Sequence, residues 1–424
     1  MRIAIIGTGI AGLTCAHRLH REHEITLFEA NDYVGGHTAT IDVEHEGRHW
    51  AIDTGFIVFN EWTYPRFIAL LDELGVEAQS SNMSFAVSCE RTGLEYNGTS
   101  LNALFAQRRN VLRPSFLRML ADIVRFNTRC RELLNSEDDS ETLGAYLERS
   151  NYSRAFTDYY LVPMGRAIWS ASASAMLSFP ARFFVDFFHR HGFLNLDDRP
   201  VWRAIRGGSR EYVRQLIAPF RHRIRLSTAI TGVYRDVGGA VLRTRRGDIE
   251  RFDRVIFACH SDQALNLLER PTPIEQIVLS SFPYQANHVT LHTDASVLPR
   301  TRLARAAWNY HVLALERDAV ALTYDMNVLQ SLSAPERFLV TLNRRDAIAS
   351  ERVLGEYVYH HPVYTPEAVR AQKLHDKVSG LNSTYYCGAY WGYGFHEDGV
   401  VSAERVAAQV RAESWQLERT AVLR

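Results

Sequence analysis

Residues 2–30, "RIAIIGTGIAGLTCAHRLHREHEITLFEA", decide how the chain begins to fold. "RIAII" is a short apolar run rich in β-branched residues and reads as a strand. Ile10, Leu13, Ala16 and Leu19 follow at helical spacing, and "EITLF" is a second strand, so the stretch is one βαβ unit. Gly7, Gly9 and Gly12 stand between strand and helix at G-x-G-x-x-G spacing, with Ile10 and Ala11 in the same turn. Glycines there permit a tight turn, close approach of backbone to a diphosphate, and close helix packing. The helix N-terminus, with free N–H groups and a favourable dipole, then faces the phosphates. Glu29, followed by Ala30, ends the second strand, where a carboxylate accepts hydrogen bonds from adenosine ribose hydroxyls and disfavours a 2′-phosphate. A glycine turn without nucleotide is the competing reading of the glycines alone. Strand, glycines, helix, strand and acid in order favour a dinucleotide.

NAD and FAD share that signature, and the next residues separate them. "NDYVGGHTATIDVEHEGRHWAIDTGFIVF" (31–59) places Gly35 and Gly36 just after the acid, then an alternating run, then Thr54, Gly55 and Phe56 after Asp53. Here the sequence resembles the flavin-containing amine oxidase superfamily, which includes phytoene desaturases and protoporphyrinogen oxidases. The resemblance implies that Gly35, Gly36, His37 and Thr38 lie along the diphosphate of FAD and that Thr54, Gly55 and Phe56 pass the isoalloxazine. His37 departs from that family, which usually carries arginine there; a histidine is often neutral near pH 7, and backbone N–H groups and Thr38 would carry more of the contact.

The chain ends on "STYYCGAYWGYGFHEDGVVSAERVAAQVRAE" (383–413), a strand, a glycine-rich aromatic loop and a helix. Superfamily members end in this way, with the helix N-terminus aimed at the flavin, where partial positive charge favours hydride acceptance. The resemblance places Gly388, Glu397, Asp398, Gly399 and Val400 at the cofactor, with Gly399 and Val400 starting the last helix, and Phe395 in an aromatic substrate cage. It also places Ile230 at the adenine and Ala258 at a strand end beside the cofactor. His396 and Glu397 are the residues expected to handle protons, against the alternative that they only orient the cofactor. Lys373 and Lys377 are the only lysines, and neither lies in a segment suited to flavin N5, so amine oxidation is disfavoured.

The fold expected from these features is α/β with α+β insertions: a Rossmann-like FAD-binding domain of the glutathione-reductase type, with an interleaved substrate domain. Residues 1–78, 203–272 and 365–424 are assigned to the first and 79–202 and 273–364 to the second. "SFAVSCERTGLEYNG" (84–98) reads as a hairpin, and helical patterns follow to about Ser172, broken by the acidic "NSEDDSE" (135–141). "RAIRGGSREYVRQLIAPF" (203–220) then gives a glycine turn, a capping Ser209 and a helix before the strands of residues 223–260.

Lys+Arg and Asp+Glu both number 48, so no net field favours nucleic acid. Five scattered cysteines lack metal or disulfide spacing, which suits a reduced, cytoplasmic setting without a bound metal. The N-terminal apolar run is broken by glycines, unlike a cleavable signal, and no apolar stretch is long enough to span a membrane.

"GGHTAT", "GAYWGYG" and "GFHEDG" together resemble most a bacterial branch of FAD/NAD-binding proteins associated with cyclopropane-fatty-acid synthases. That branch includes a flavin-dependent fatty-acyl desaturase of furan fatty acid synthesis. The resemblance implies dehydrogenation of an apolar, fatty-acyl or lipid substrate by hydride transfer to flavin N5, and an acyl-modifying enzyme as partner. A redox-neutral polyene isomerase and a non-catalytic flavin-bearing partner are the alternatives. "LNALFAQRRNVLRPSFLRMLADIVRFNTRCREL" (101–133) mixes apolar residues with arginines in the composition of a helix docked on the anionic inner face of a membrane. An ordinary solvated face explains the same arginines. Phe179, Phe183, Phe184, Phe187 and Phe188 line an acyl channel or fill a core.

Overall fold

The computed structural model describes residues 1–136, 140–315 and 317–422. Positions 137–139 of the acidic loop therefore lie outside the described residues. β1 (Arg2–Ile6), α1 (Ile10–Leu19) and β2 (Glu24–Phe28) form as the opening periodicity predicts. β1 is the centre of a five-stranded parallel sheet, flanked by β2 and Ile224–Arg225 on one side and by Arg254–Phe257 and Thr384–Tyr386 on the other. Side chains alternate across a strand, so Ile3 and Ile5 enter one core while Ala4 and Ile6 enter another. Both faces are covered, as a parallel sheet requires.

One face is covered by α1, α2 (Pro65–Leu74), the helix Arg210–Ile217 and the C-terminal helix His396–Val422. The other carries the antiparallel sheet formed by Ile230–Asp236, Gly239–Thr244 and Ile249–Phe252. Residues 85–97 and 284–362 supply a separate seven-stranded sheet. It is antiparallel except where Trp308–Val312 runs parallel to Phe85–Cys89, and helices from residues 114–190 pack on it around a large aromatic core. The expected α/β class with α+β insertions is the observed fold.

Three sequence readings need correction. The hydroxyl of Ser209 does not cap its helix; it donates to the Asp53 carboxylate (2.8 Å), which also accepts the Ser209 N–H (2.9 Å). Of the five channel phenylalanines, only Phe187 reaches the cavity described below; Phe179, Phe183, Phe184 and Phe188 are core. The last helix begins at His396, ahead of the expected Gly399 and Val400.

The two chain ends meet at α1. A Cβ on Gly399 would lie 2.7 Å from Cγ2 of Ile10, one on Gly7 would lie 2.7 Å from the Ala258 carbonyl oxygen, and one on Gly12 would collide with the Gly7 carbonyl. Deeper in the same contact, Cys15 Sγ donates to the Ala403 carbonyl (3.3 Å) and lies 3.8 Å from Cys387 Sγ. Overpacking of a close-packed contact costs about 1–3 kcal/mol. Gly12→Ala is therefore expected to lower the urea midpoint of the cofactor-stripped chain; an unchanged midpoint would show slack between turn and helix.

Candidate active site

The strand ends of the parallel sheet open into one cavity of about 800 Å³, within the range of small-molecule sites. Gly7, Gly9, Ile10, Ala11, Glu29, Ala30, Gly35, Gly36 and His37 line it from the first βαβ unit. Gly55, Phe56, Ile230, Ala258, Gly388, Phe395 and His396 line it from segments distant in sequence.

The glycine loop is open where a ligand would need it. Gly9 is the cap position of α1, in an extended conformation any residue adopts (φ −69°), and no side chain caps the helix. A Cβ on Gly9 would meet nothing within 4 Å. Gly7 and Gly12 thus answer to protein packing, whereas Gly9 leaves room for something outside the protein. Across the loop, the Gly35 N–H donates to the Thr8 carbonyl (3.1 Å), and the would-be Cβ of Gly36 lies 3.2 Å from the Gly9 Cα. Glu29 sits on the wall at the end of β2; its carboxylate accepts the Thr8 N–H (3.1 Å) and the Asn31 N–H (2.9 Å). Uncapped helix N–H groups, a bare glycine and a strand-end acid fit the diphosphate and ribose of a dinucleotide.

The other end of the cavity is aromatic. Trp169, Phe187, Phe193, Trp202, Trp308, Tyr324, Tyr364, Tyr393 and Phe395 line it. Phe395 stacks on Phe187 (5.3 Å), and the Trp169 indole donates to the Tyr393 carbonyl (3.2 Å). His191, which sequence reasoning missed, lies flat on Phe187 (3.8 Å) and is itself on the wall. Its Nδ1–H donates to the Phe187 carbonyl (2.9 Å), which fixes the tautomer and leaves the Nε2 lone pair for an entering molecule. Burial pushes its pKa down to about 4, so the ring is neutral at physiological pH.

The residues expected to handle protons are held differently. His396 stacks on Phe56 (3.5 Å), and its Nε2 lies 3.0 Å from Thr38 Oγ1 and 3.1 Å from the Tyr212 hydroxyl. Burial keeps it neutral. Glu397 turns away from the cavity: its carboxylate accepts the N–H groups of Arg66 (3.0 Å) and Phe67 (2.8 Å), the orphan donors of α2. That corrects Glu397 from a proton-handling or cofactor residue to a helix cap. Asp398 likewise caps its own helix, accepting the Phe395 N–H (2.9 Å), and burial raises its pKa to about 7. Gly12, Thr38, Thr54, Gly399 and Val400 also stand behind the wall. Thr54 Oγ1 lies 2.8 Å from the Tyr359 hydroxyl, and Val400 is fully buried in the core.

A family model for flavin-containing amine oxidoreductases matches residues 10–302. The chain belongs to this family. It is an FAD-dependent oxidoreductase, and FAD is the group its glycine loop fits. Similar solved structures carry the same fold over nearly the whole length. Cyclohexylamine oxidase from Brevibacterium oxydans is 16% identical, with TM-score 0.71, covering 97% of this chain and 99% of that one. Wild-type putrescine oxidase bound to putrescine is 15% identical, with TM-score 0.68 and the same coverage. A CLA-producing fatty acid isomerase from P. acnes is 16% identical, with TM-score 0.67, covering 96% and 98%. Compared with curated proteins by sequence, the oxidoreductase shows no significant match.

The Gly9 geometry separates packing from binding. Gly9→Val is expected to leave the unfolding free energy of the stripped oxidoreductase within about 1 kcal/mol of wild type, the order of a helix-cap change whose added Cβ meets no neighbour. The same variant should purify colourless after incubation with FAD. A yellow Gly9→Val protein would place the diphosphate elsewhere.

Proposed function

We propose that this oxidoreductase dehydrogenates an apolar, uncharged substrate of fatty-acyl or lipid type. One observation carries the reading: among the described residues, Glu29 and Arg245 are the only charged side chains on the cavity wall, and both stand at the adenosine end. Arg245 is fixed there by its N–H bond to the Ala229 carbonyl (2.8 Å), beside Thr228, whose N–H donates to the Glu29 carbonyl (2.8 Å). The aromatic end thus has no carboxylate to receive an ammonium group, and burying an unpaired charge there is costly. An acyl chain meets no such penalty and gains from leaving water. The scaffold also occurs in a fatty acid isomerase, which supports an acyl substrate.

FAD bound in the cavity supplies the hydride acceptor, its N5. The protein's share is to orient the chain between aromatic walls, exclude water and offer the free lone pair of the neutral His191 Nε2 to the proton that leaves the carbon next to the hydride donor. His396, tied to two hydroxyls and stacked on Phe56, serves position rather than proton transfer.

Mixed anaerobically with flavin-loaded enzyme, phospholipid bearing monounsaturated acyl chains is expected to bleach the flavin and to yield a further double bond by mass spectrometry. Bleaching by simple amines alone would refute the reading. Double-bond migration without net bleaching would favour isomerisation, and lack of any turnover a non-catalytic partner role.

The same reading extends to the membrane. No helix among the described residues is long and apolar enough to cross one. Leu101, Val111, Leu112, Leu117 and Val124 are all exposed, Leu112 at 85%. Arg108, Arg109, Arg118 and Arg129 are exposed beside them, while Asp122, the one acid of residues 101–131, is buried against Arg118 and Arg125. Arg131 bonds Asn195 (2.9 Å), joining this basic face to the segment that carries Phe193 to the cavity. A basic face studded with apolar residues suits an anionic bilayer surface. Flotation with anionic vesicles is expected to carry the protein upward, and Leu112→Asp to reduce that severalfold; no enrichment over neutral vesicles would retire the contact.

A further inference from the structure

Four histidines from three segments converge on the cavity wall: His37 after β2, His260 at the cap of the helix Ser261–Leu267, and His360 with His361 ending the strand Val353–Pro362. Ring centroids are 5.4 Å apart for His37 and His361, 6.0 Å for His37 and His260, and 6.5 Å for His260 and His360. Two of them adjoin the backbone that frames the glycine loop. His37 follows Gly36, which touches Gly9, and His260 stands two residues after Ala258, which touches Gly7.

The groups facing the cluster are neutral at physiological pH. Tyr284 stacks on His260 (4.4 Å), Tyr359 lies 5.3 Å from His37, and Asn287 Nδ2 is 3.4 Å from His361 Nδ1. From the C-terminal helix, His396 is the ring that faces His37 electrostatically. Asp262, on the helix that His260 caps, has its carboxylate bonded to the Gln263 N–H (2.8 Å) and is not on the wall. Among the described residues no cluster of His, Cys, Asp and Glu is arranged to hold a metal ion. His37 Nε2 is buried with no hydrogen-bond partner. An unpaired polar nitrogen in a protein interior is costly unless something else engages it.

A dinucleotide diphosphate carries two negative charges, and among the described residues the wall offers it a helix N-terminus but no permanent cation except Arg245 at the adenosine end. We propose that His37, His260, His360 and His361 together supply the missing counter-charge, taking up a proton from solvent onto an imidazole nitrogen when the FAD diphosphate binds. The proposal rests on the FAD reading of the cavity. Burial and mutual repulsion hold His37 and His260 at about 4 and His361 at about 3, so these three rings are uncharged at neutral pH before the diphosphate arrives. A nearby dianion raises those values, because an opposite charge favours the protonated form. The sign follows from linkage: the bound state holds more protons, so affinity is greatest at low pH and falls as pH rises from the free values toward the raised one. One fully linked proton weakens binding tenfold per pH unit.

The test is calorimetric titration of the full-length, cofactor-stripped protein with FAD, at neutral pH, in two buffers of different ionisation enthalpy. Net uptake approaching one proton per FAD is expected, with affinity falling several-fold to tenfold per pH unit between about pH 6 and 8. ADP-ribose, which carries the same doubly esterified diphosphate without the flavin, should show the same uptake, and riboflavin none. His37→Arg supplies a permanent charge and should bind FAD with diminished uptake and a flatter pH dependence. FAD binding with no proton exchanged and no pH dependence overturns the proposal. So does uptake that survives replacement of all four histidines by Asn, or uptake seen with riboflavin, which would assign the protons to another site. Failure to bind FAD at any pH would instead sink the cofactor reading beneath it.

Discussion

Backbone brought within van der Waals reach of backbone, around the turn between β1 and α1, is the constraint on which the molecule depends. Gly7 lies against the Ala258 carbonyl, Gly12 against Gly7, and Gly399 of the last helix against Ile10 of the first. Any side chain at these places would push apart the elements that shape the cavity floor. Because the contact unites residues almost four hundred positions apart, the central sheet closes only when Thr384–Tyr386 docks beside Arg254–Phe257 and brings the last helix onto α1. The floor is therefore a product of the whole chain.

On that floor the protein arranges two environments. One is bare backbone with helix N–H groups and an acid, suited to phosphate and ribose. The other is a box of rings with one fixed neutral imidazole, His191, and, among the described residues, no charged side chain. Burial is what keeps His191 at one end and His37, His260 and His361 at the other uncharged; the low dielectric that makes the aromatic end hospitable to an acyl chain also discharges buried imidazoles. Beyond Glu29 and Arg245, charge at this site has to arrive with the ligand or be drawn from solvent in response to it.

The acids near the last helix show how chemistry and architecture compete for the same residue type. Glu397 and Asp398 follow the cavity residues Phe395 and His396, and by position along the chain either is a credible catalytic group. Helical geometry sends successive side chains about a hundred degrees apart, so neighbours in sequence face different surroundings. Glu397 meets the orphan N–H groups of α2 and Asp398 reaches back to the Phe395 N–H just ahead of its own helix. Both carboxylates are spent on capping.

The first sixty residues and the last forty were legible in the sequence because their signals are local: periodicity makes the βαβ unit, and glycine spacing at a strand end makes the phosphate turn. The family, the α/β class and the cofactor follow from those alone. The hairpin at residues 84–98 was legible for the same reason. What only the tertiary structure decided is which side chains share the cavity. "HRHGF" and "YHHP" carry no local mark that sets His191, His360 and His361 apart from other histidines. They become part of the site because a separate seven-stranded sheet and its helices deliver them there. Likewise a run of five phenylalanines cannot reveal that Phe187 alone faces the cavity, since helical phase is set by what the helix packs against. Local periodicity specifies elements; the direction in which an element points is settled by contacts between residues far apart in the chain.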